Sequence, residues 1–261
     1  MRRMLATSLI LLTLMFVHLL AHGGDASDTG AEANLEPSET KTWEFQLAPF
    51  YGWLVSLDGD VTLKTSTAPV EVDFGDVFDK LEGVFTVHFE PWYKQKWGGL
   101  IDFSYVNIGD SKGPLGVDVK DVITELGVFY RFLEQGPHIL EGLGGVRYTD
   151  VRVDLDIARI PADLNGSQEW LDPIIGARYK WKISRKWVLS LRGDLGGFGI
   201  GDASDFSWNL AGLINFQPWK HVSFFGGYRA LYQDYETGSG FNKFKWDILM
   251  HGPGLGVNFT F

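Results

Sequence analysis

Arg178, Lys180 and Lys182 stand at every second position of one segment, and Ser190, Arg192 and Asp194 do the same in the next. Glu125 and Arg131 share a parity in a third segment, as do His88 and Glu90 in a fourth. Successive side chains of a strand point to opposite sides, so this spacing gathers the groups on one face of an extended chain. Cations and carboxylates sharing a face can neutralise one another, line a path for ions or small polar solutes, or hold a small polar ligand. The groups on this face are His88, Glu90, Asp102, Glu125, Arg131, Glu141, Arg147, Arg178, Lys180, Arg192, Asp194 and Arg229. Asp247 is expected to join them, and Gly252-Pro253-Gly254 reads as a bulge that switches the facing near the end of the chain. That bulge leaves the side of His251 open.

Hydrolytic chemistry fits the pattern less well. A rim protease needs an acid and a histidine beyond the strands, and a lipid hydrolase needs Ser and His on one outward patch. His138 and His221 fall at tight turns, His88 and His251 fall within strands, and His18 and His22 lie in the leader. Ser104 and Ser190 share the inward parity, and there is no Gly-x-Ser-x-Gly. Gly142-Leu143-Gly144-Gly145 continues a strand with no helix after it, so close packing explains it better than phosphate binding. The reading is therefore not an enzyme, with no catalytic residue, cofactor or metal assigned; no Asp-x-Asn-x-Asp-Gly calcium loop is present.

The elements that carry these groups are segments of alternating apolar and polar residues: 43–55, 83–94, 97–108, 120–133, 138–153, 170–183, 187–200, 206–218, 221–236 and 245–261. Each is long enough to cross a bilayer at a tilt. The breaks after Lys94, at 134–137, at 184–186 and at 218–221 are tight; those at 56–82, 109–119, 154–169, 201–205 and 237–244 are longer. Strict alternation of tight and long connections predicts an antiparallel meander with all turns at one end. The fold class is an all-β, transmembrane, up-and-down β-barrel of about ten strands, and eight or twelve strands fit the same pattern.

Alternation alone also suits a soluble sandwich. The ten tryptophans separate the two, because all lie near strand ends. Trp43, Trp92, Trp97, Trp181, Trp187 and Trp219 flank the turns, and Trp53, Trp170, Trp208 and Trp246 lie toward the loops. A membrane gathers such rings at its two interfaces. The chain also ends on an apolar strand, with Val257, Phe259 and Phe261 alternating with Asn258 and Thr260.

In these features residues 43–261 resemble the bacterial outer-membrane β-barrel proteins, whose last strand typically ends on an aromatic residue. The resemblance implies that Val257, Phe259 and Phe261 form the signal read by the barrel-assembly machinery. It also implies outer-membrane lipid and lipopolysaccharide as surroundings. It does not choose an activity, because the family includes pores, enzymes, adhesins and passive barrels.

Residues 1–26 read as a secretory signal peptide: Arg2 and Arg3, an apolar run from Met4 to about Val17, then small residues. Residues 27–42 are a polar, acidic lead-in. The net charge of −10 disfavours nucleic acid as a partner, and the absence of cysteine excludes disulfides. The first extracellular loop, 56–82, is the longest. Asp58-Gly59 signals a small hairpin, and Phe74, Val77, Phe78 and Leu81 fall at helical spacing, with Asp73 or Asp76 placed to cap. Such a helix would plug the mouth or pack on the rim. Two functions fit the whole: a narrow porin-like conduit, or a non-conducting structural or binding barrel with a salt-bridged lumen, acting through its loops.

Overall fold

The computed structural model describes residues 42–72, 81–110, 115–157 and 164–261. The expected signal peptide, nearly all of the lead-in and most of the helical stretch (73–80) lie outside these residues. The strands are β1 (Trp43–Ala48), β2 (Tyr51–Trp53), β3 (Ser56–Leu63), β4 (Ser66–Val72), β5 (Leu81–Tyr93), β6 (Trp97–Asp110) and β7 (Leu115–Gln135). They continue as β8 (His138–Ile157), β9 (Leu164–Lys182), β10 (Trp187–Gly196), β11 (Phe206–Trp219), β12 (Val222–Thr237) and β13 (Phe244–Thr260). Consecutive strands from β5 to β13 pair antiparallel, β1 pairs with β5, and β13 closes the ring on β1, β2 and β3 in turn. Since β1, β2 and β3 lie end to end along β13, they act as one interrupted strand and the ring has ten.

The interruption has a local cause. Leu47 pairs with Phe259 but Tyr51 pairs with Gly256, so the first strand holds one more residue than its partner there. Pro49 lies in that bulge, where its missing N–H costs no ladder bond. The turns follow the expected alternation. At the β5–β6 turn, Lys94 and Gln95 both take left-handed φ (48° and 52°), and the Lys96 N–H donates to the Tyr93 carbonyl at 3.0 Å. The connections 94–96, 136–137, 183–186 and 220–221 form this turn end, and the longer ones lie at the other, loop end.

No bulge interrupts β13 at Gly252-Pro253-Gly254. The β12–β13 register runs unbroken from Val222↔Phe259 to Thr237↔Phe244. Facing therefore never switches. Asp247 lies on the outside with Leu249 and His251, where Lys245 (3.1 Å) and Tyr232 (2.8 Å) hold it, and the expectation that it lines the lumen is corrected. Gly252 carries the seam at this point: a Cβ there would stand 1.7 Å from the Leu54 carbonyl oxygen.

Around the ring the outward face is apolar over a belt that includes Phe85, Ile101, Leu126, Val128, Phe132 and Leu171, all about half exposed. A belt of this extent exceeds what a soluble monomer leaves open, and it suits lipid. The tryptophans divide differently from the expectation. Trp43, Trp97, Trp181, Trp187, Trp208 and Trp219 face outward, whereas Trp53, Trp92, Trp170 and Trp246 are buried inside. Proximity to a strand end is compatible with either face; parity decides. Trp92 shares the parity of His88 and Glu90, and Trp246 that of Ile248 and Met250.

Beyond the belt the inside becomes apolar. Val106 and Ile108 (β6), Val119 and Ile123 (β7), Val151 and Val153 (β8) and Trp170 (β9) pack against Leu231 and Tyr235 (β12) and Phe244, Trp246, Ile248 and Met250 (β13). The residues expected to form a loose first loop complete this core. Ser56–Leu63 and Ser66–Val72 form a β3–β4 hairpin that turns at Lys64-Thr65, not at Asp58-Gly59, and buries Val61, Leu63, Ala68, Val70 and Val72. Leu81 belongs to β5, so a helix reaching 81 is also corrected. The loop end is in effect a sandwich with an interior like that of a soluble protein.

Candidate functional site: the lumen

The inward faces stack in layers from the turn end upward. The lowest is a cup of about 440 Å³, reaching from Glu44, Gln95 and Lys186 at the rim to Trp53 and Arg229 at its floor. Its charged wall comes from β5, β7, β8 and β9. Arg178 grips both carboxylate oxygens of Glu90, with Nη2 to Oε2 at 3.0 Å, and donates from Nε to Glu141 Oε2 at 2.8 Å. Arg131 donates to Glu141 Oε1 from Nε (3.2 Å) and Nη2 (3.1 Å). The rings beneath them are apolar support. The Arg178 guanidinium lies 3.7 Å from the Phe129 centroid and that of Arg131 lies 4.9 Å from the Trp92 ring, arrangements in which the π face attracts the cation. The Trp92 indole N–H in turn donates to Glu90 at 3.1 Å.

The floor of the cup is an ionic layer. Glu125, fully buried, meets Arg147 at 2.9 Å and both Arg192 and Arg229 at 2.8 Å. Asp194 meets Arg147 at 2.6 Å, Arg192 at 2.8 Å and the Asn209 amide at 2.9 Å. Arg229 also donates to Asn209 Oδ1 at 2.9 Å and lies 3.7 Å from Asp102. Three guanidinium groups (Arg147, Arg192, Arg229) thus face three carboxylates (Glu125, Asp194, Asp102), the balance that burial of charge demands. His88 joins the two layers, with Nδ1 2.8 Å from Asp102 and Nε2 3.0 Å from Glu90. The Tyr51 hydroxyl donates to Asp102 at 3.1 Å.

Above the ions comes a polar tier. Asp172 accepts from the Ser204 N–H (2.8 Å) and hydroxyl (2.7 Å), and the Gln233 amide donates to Thr149 at 2.8 Å. The apolar sandwich closes the top, where Trp170 stacks on Tyr235 at 4.3 Å with 7° between the planes.

Twelve of the thirteen side chains expected in the lumen, all but Asp247, are therefore inside and joined in one network. Tyr51, Trp92, Thr149, Asp172 and Gln233 belong with them and escaped the sequence reading. Trp92 had the inward parity in plain view; Tyr51 was hidden because the bulge at Pro49 breaks the first strand's period. The terminal residues stand as the alternation requires: Val257 pairs with Phe224 and Phe259 with Val222, all facing out. Phe261 exchanges backbone bonds with Phe45 at 2.9 and 3.0 Å, so the apolar strand stays paired as far as this residue. At the β3–β13–β12 seam His251 faces outward, between Asp58 (2.6 Å) and the Tyr228 hydroxyl (2.5 Å). Among the described residues no cluster has the makings of a metal site.

No family model and no curated protein matches this chain. Solved structures do. The outer membrane protease OmpT from Escherichia coli aligns over 85% of this chain and 98% of its own, with 9% identity and a TM-score of 0.54. The translocator domain of autotransporter NalP from Neisseria meningitidis aligns over 97% of each chain with 13% identity and a TM-score of 0.42. At such identity the likeness speaks for the fold alone. A closed antiparallel ring of ten strands, apolar outside and ion-paired within, is the fold of the bacterial outer-membrane β-barrel proteins.

Proposed function

We propose that this protein is an integral outer-membrane barrel that does not conduct, its bore closed from within, with the turn end in the periplasm and the loop end projecting outside the cell. The observation that carries this reading is the apolar core at the loop end. Ions and polar solutes would have to cross a dry layer lined by Val61, Val70, Val153, Trp246 and Ile248, after passing an ionic layer with no spare charge. Of the two functions the sequence allowed, the structure supports the binding or structural barrel over the conduit. On this reading the signal peptide delivers the chain for export. The barrel-assembly machinery reads Val257, Phe259 and Phe261, and lipopolysaccharide surrounds the outer part of the belt.

Planar-bilayer recording tests it. Signal-free protein, shown folded by its heat-modifiable gel mobility, is expected to give no discrete current steps. Steps whose ion selectivity shifts when Arg192 is neutralised would overturn the closed bore.

A further inference from the structure

Among the described residues below the rim, the cup wall holds one cation that its carboxylates do not satisfy. Arg178 is held by Glu90 and Glu141, and Arg131 by Glu141 and Glu134. Lys180 has a single long contact, Nζ to Glu141 Oε2 at 3.7 Å, on an oxygen that Arg178 already occupies at 2.8 Å. Its side chain is only 16% exposed, and its ammonium lies 5.2 Å from the Trp92 ring. An ammonium carries three donors, so most of its bonding capacity points into the cup unspent. The wall opposite is of another kind. Between the rim and the Arg192–Arg229 level, β10 to β13 contribute Val188, Leu213 and Phe225 with the neutral Ser190, Asn215 and Asn258. A cavity of about 440 Å³ with one loosely held ammonium and an uncharged, partly apolar wall is of the size and make-up of small-molecule sites.

We propose that the cup binds an organic monoanion, a carboxylate on a compact apolar or aromatic body. The carboxylate is received by Lys180 beside Trp92, and the body rests on Val188, Leu213 and Phe225. One negative charge matches the one ammonium left without a close carboxylate, since Arg131 and Arg178 occupy Glu90, Glu134 and Glu141. A dianion would strain against Glu90, and a neutral molecule would leave Lys180 unpaired. The site rests on the closed-bore reading, because the ionic layer is the floor that makes the cup blind.

The test uses the signal-free chain in lipid nanodiscs and ¹⁹F NMR with 4-(trifluoromethyl)benzoate as the probe and 4-(trifluoromethyl)benzamide as its neutral counterpart. Saturable binding of the benzoate is expected, with the amide and the Lys180→Met variant each weaker by about tenfold, the worth of one charge-assisted bond. Ala211→Trp, which fills the cup from the neutral wall, is expected to abolish binding. Heat-modifiable mobility verifies that each variant is folded. Equal binding of benzoate and amide, or benzoate binding unchanged in Ala211→Trp, would overturn the site. The same preparation is recorded in planar bilayers. Silence without saturable binding would refute the site and keep the closed bore; current steps with selective binding would do the reverse.

Discussion

Glu125 is the position where the ionic layer can be tested most sharply. Glu125→Gln keeps shape and volume and removes one charge from a layer of three cations and three anions. Each guanidinium–carboxylate pair at about 4 Å between charge centres is worth roughly 4 kcal/mol at an effective dielectric constant near 20. Most of the three contacts Glu125 makes is offset by its own desolvation and by repulsion among the arginines. The net cost of removing one partner from a buried pair is about 3–5 kcal/mol, and the upper half of that range is expected, since Glu125 and Arg147 are wholly buried. The measurement is urea unfolding in lipid vesicles, followed by heat-modifiable mobility and tryptophan fluorescence. The sharper arm is the double variant Glu125→Gln/Arg147→Gln. It restores neutrality and leaves Asp194 held by Arg192 and Asn209, so it should be more stable than Glu125→Gln alone. A coupling energy of about 1–3 kcal/mol is expected from the cycle. Additive effects, or a Glu125→Gln variant as stable as the parent, would refute the claim that the layer is one charge-balanced unit.

Two further outcomes are expected. Val70→Asp places an unpaired charge in the loop-end core and is expected to cost about 3 kcal/mol or more, whereas Asp60→Ala on the exposed side of the same hairpin should stay within about 0.5 kcal/mol, both read by unfolding midpoint. Gly252→Val should block closure of the ring, seen as loss of heat-modifiable mobility, because its side chain would meet the Leu54 carbonyl; a variant that folds normally would show that the seam can open.

The alternation of apolar and polar residues made the strands, their order and most of the lumen legible, because period two fixes which side chains share a face. It did not say which faces meet what solvent, and the errors follow from that. Residues 56–72 lacked a long unbroken pattern and read as loop, although Val61, Leu63, Ala68, Val70 and Val72 alternate within it. Asp247 was misplaced, and a glycine-proline stretch was read as a bulge, when the register shows the glycines serving close approach at the seam. Glu125 and Arg147 face each other across the β7–β8 hairpin, but the approach of Arg192 and Arg229 to Glu125 was not legible, since β10 and β12 meet β7 across the bore only once the ring closes.

A strand such as β7 passes through two solvents, and this explains why the bore closes. Near the turn end Leu126, Val128, Tyr130 and Phe132 face out while Glu125 and Arg131 face in; toward the loop end Val119 and Ile123 face in while Lys120 faces out. The polarity of the two faces inverts between Arg131 and Val119 without a break in register. Where lipid surrounds the ring, the outside must be apolar, and the interior can be polar only if every charge is paired. Where water surrounds it, the hydrophobic effect drives the inside together instead, and ten strands have too small a bore to resist collapse onto an apolar core. The hairpin β3–β4 supplies the side chains that fill that core, so its deletion should uncover apolar surface rather than create a water-filled channel. A β3–β4 deletion that stays folded and conducts ions would show instead that the hairpin is a removable plug and that closure is a gate.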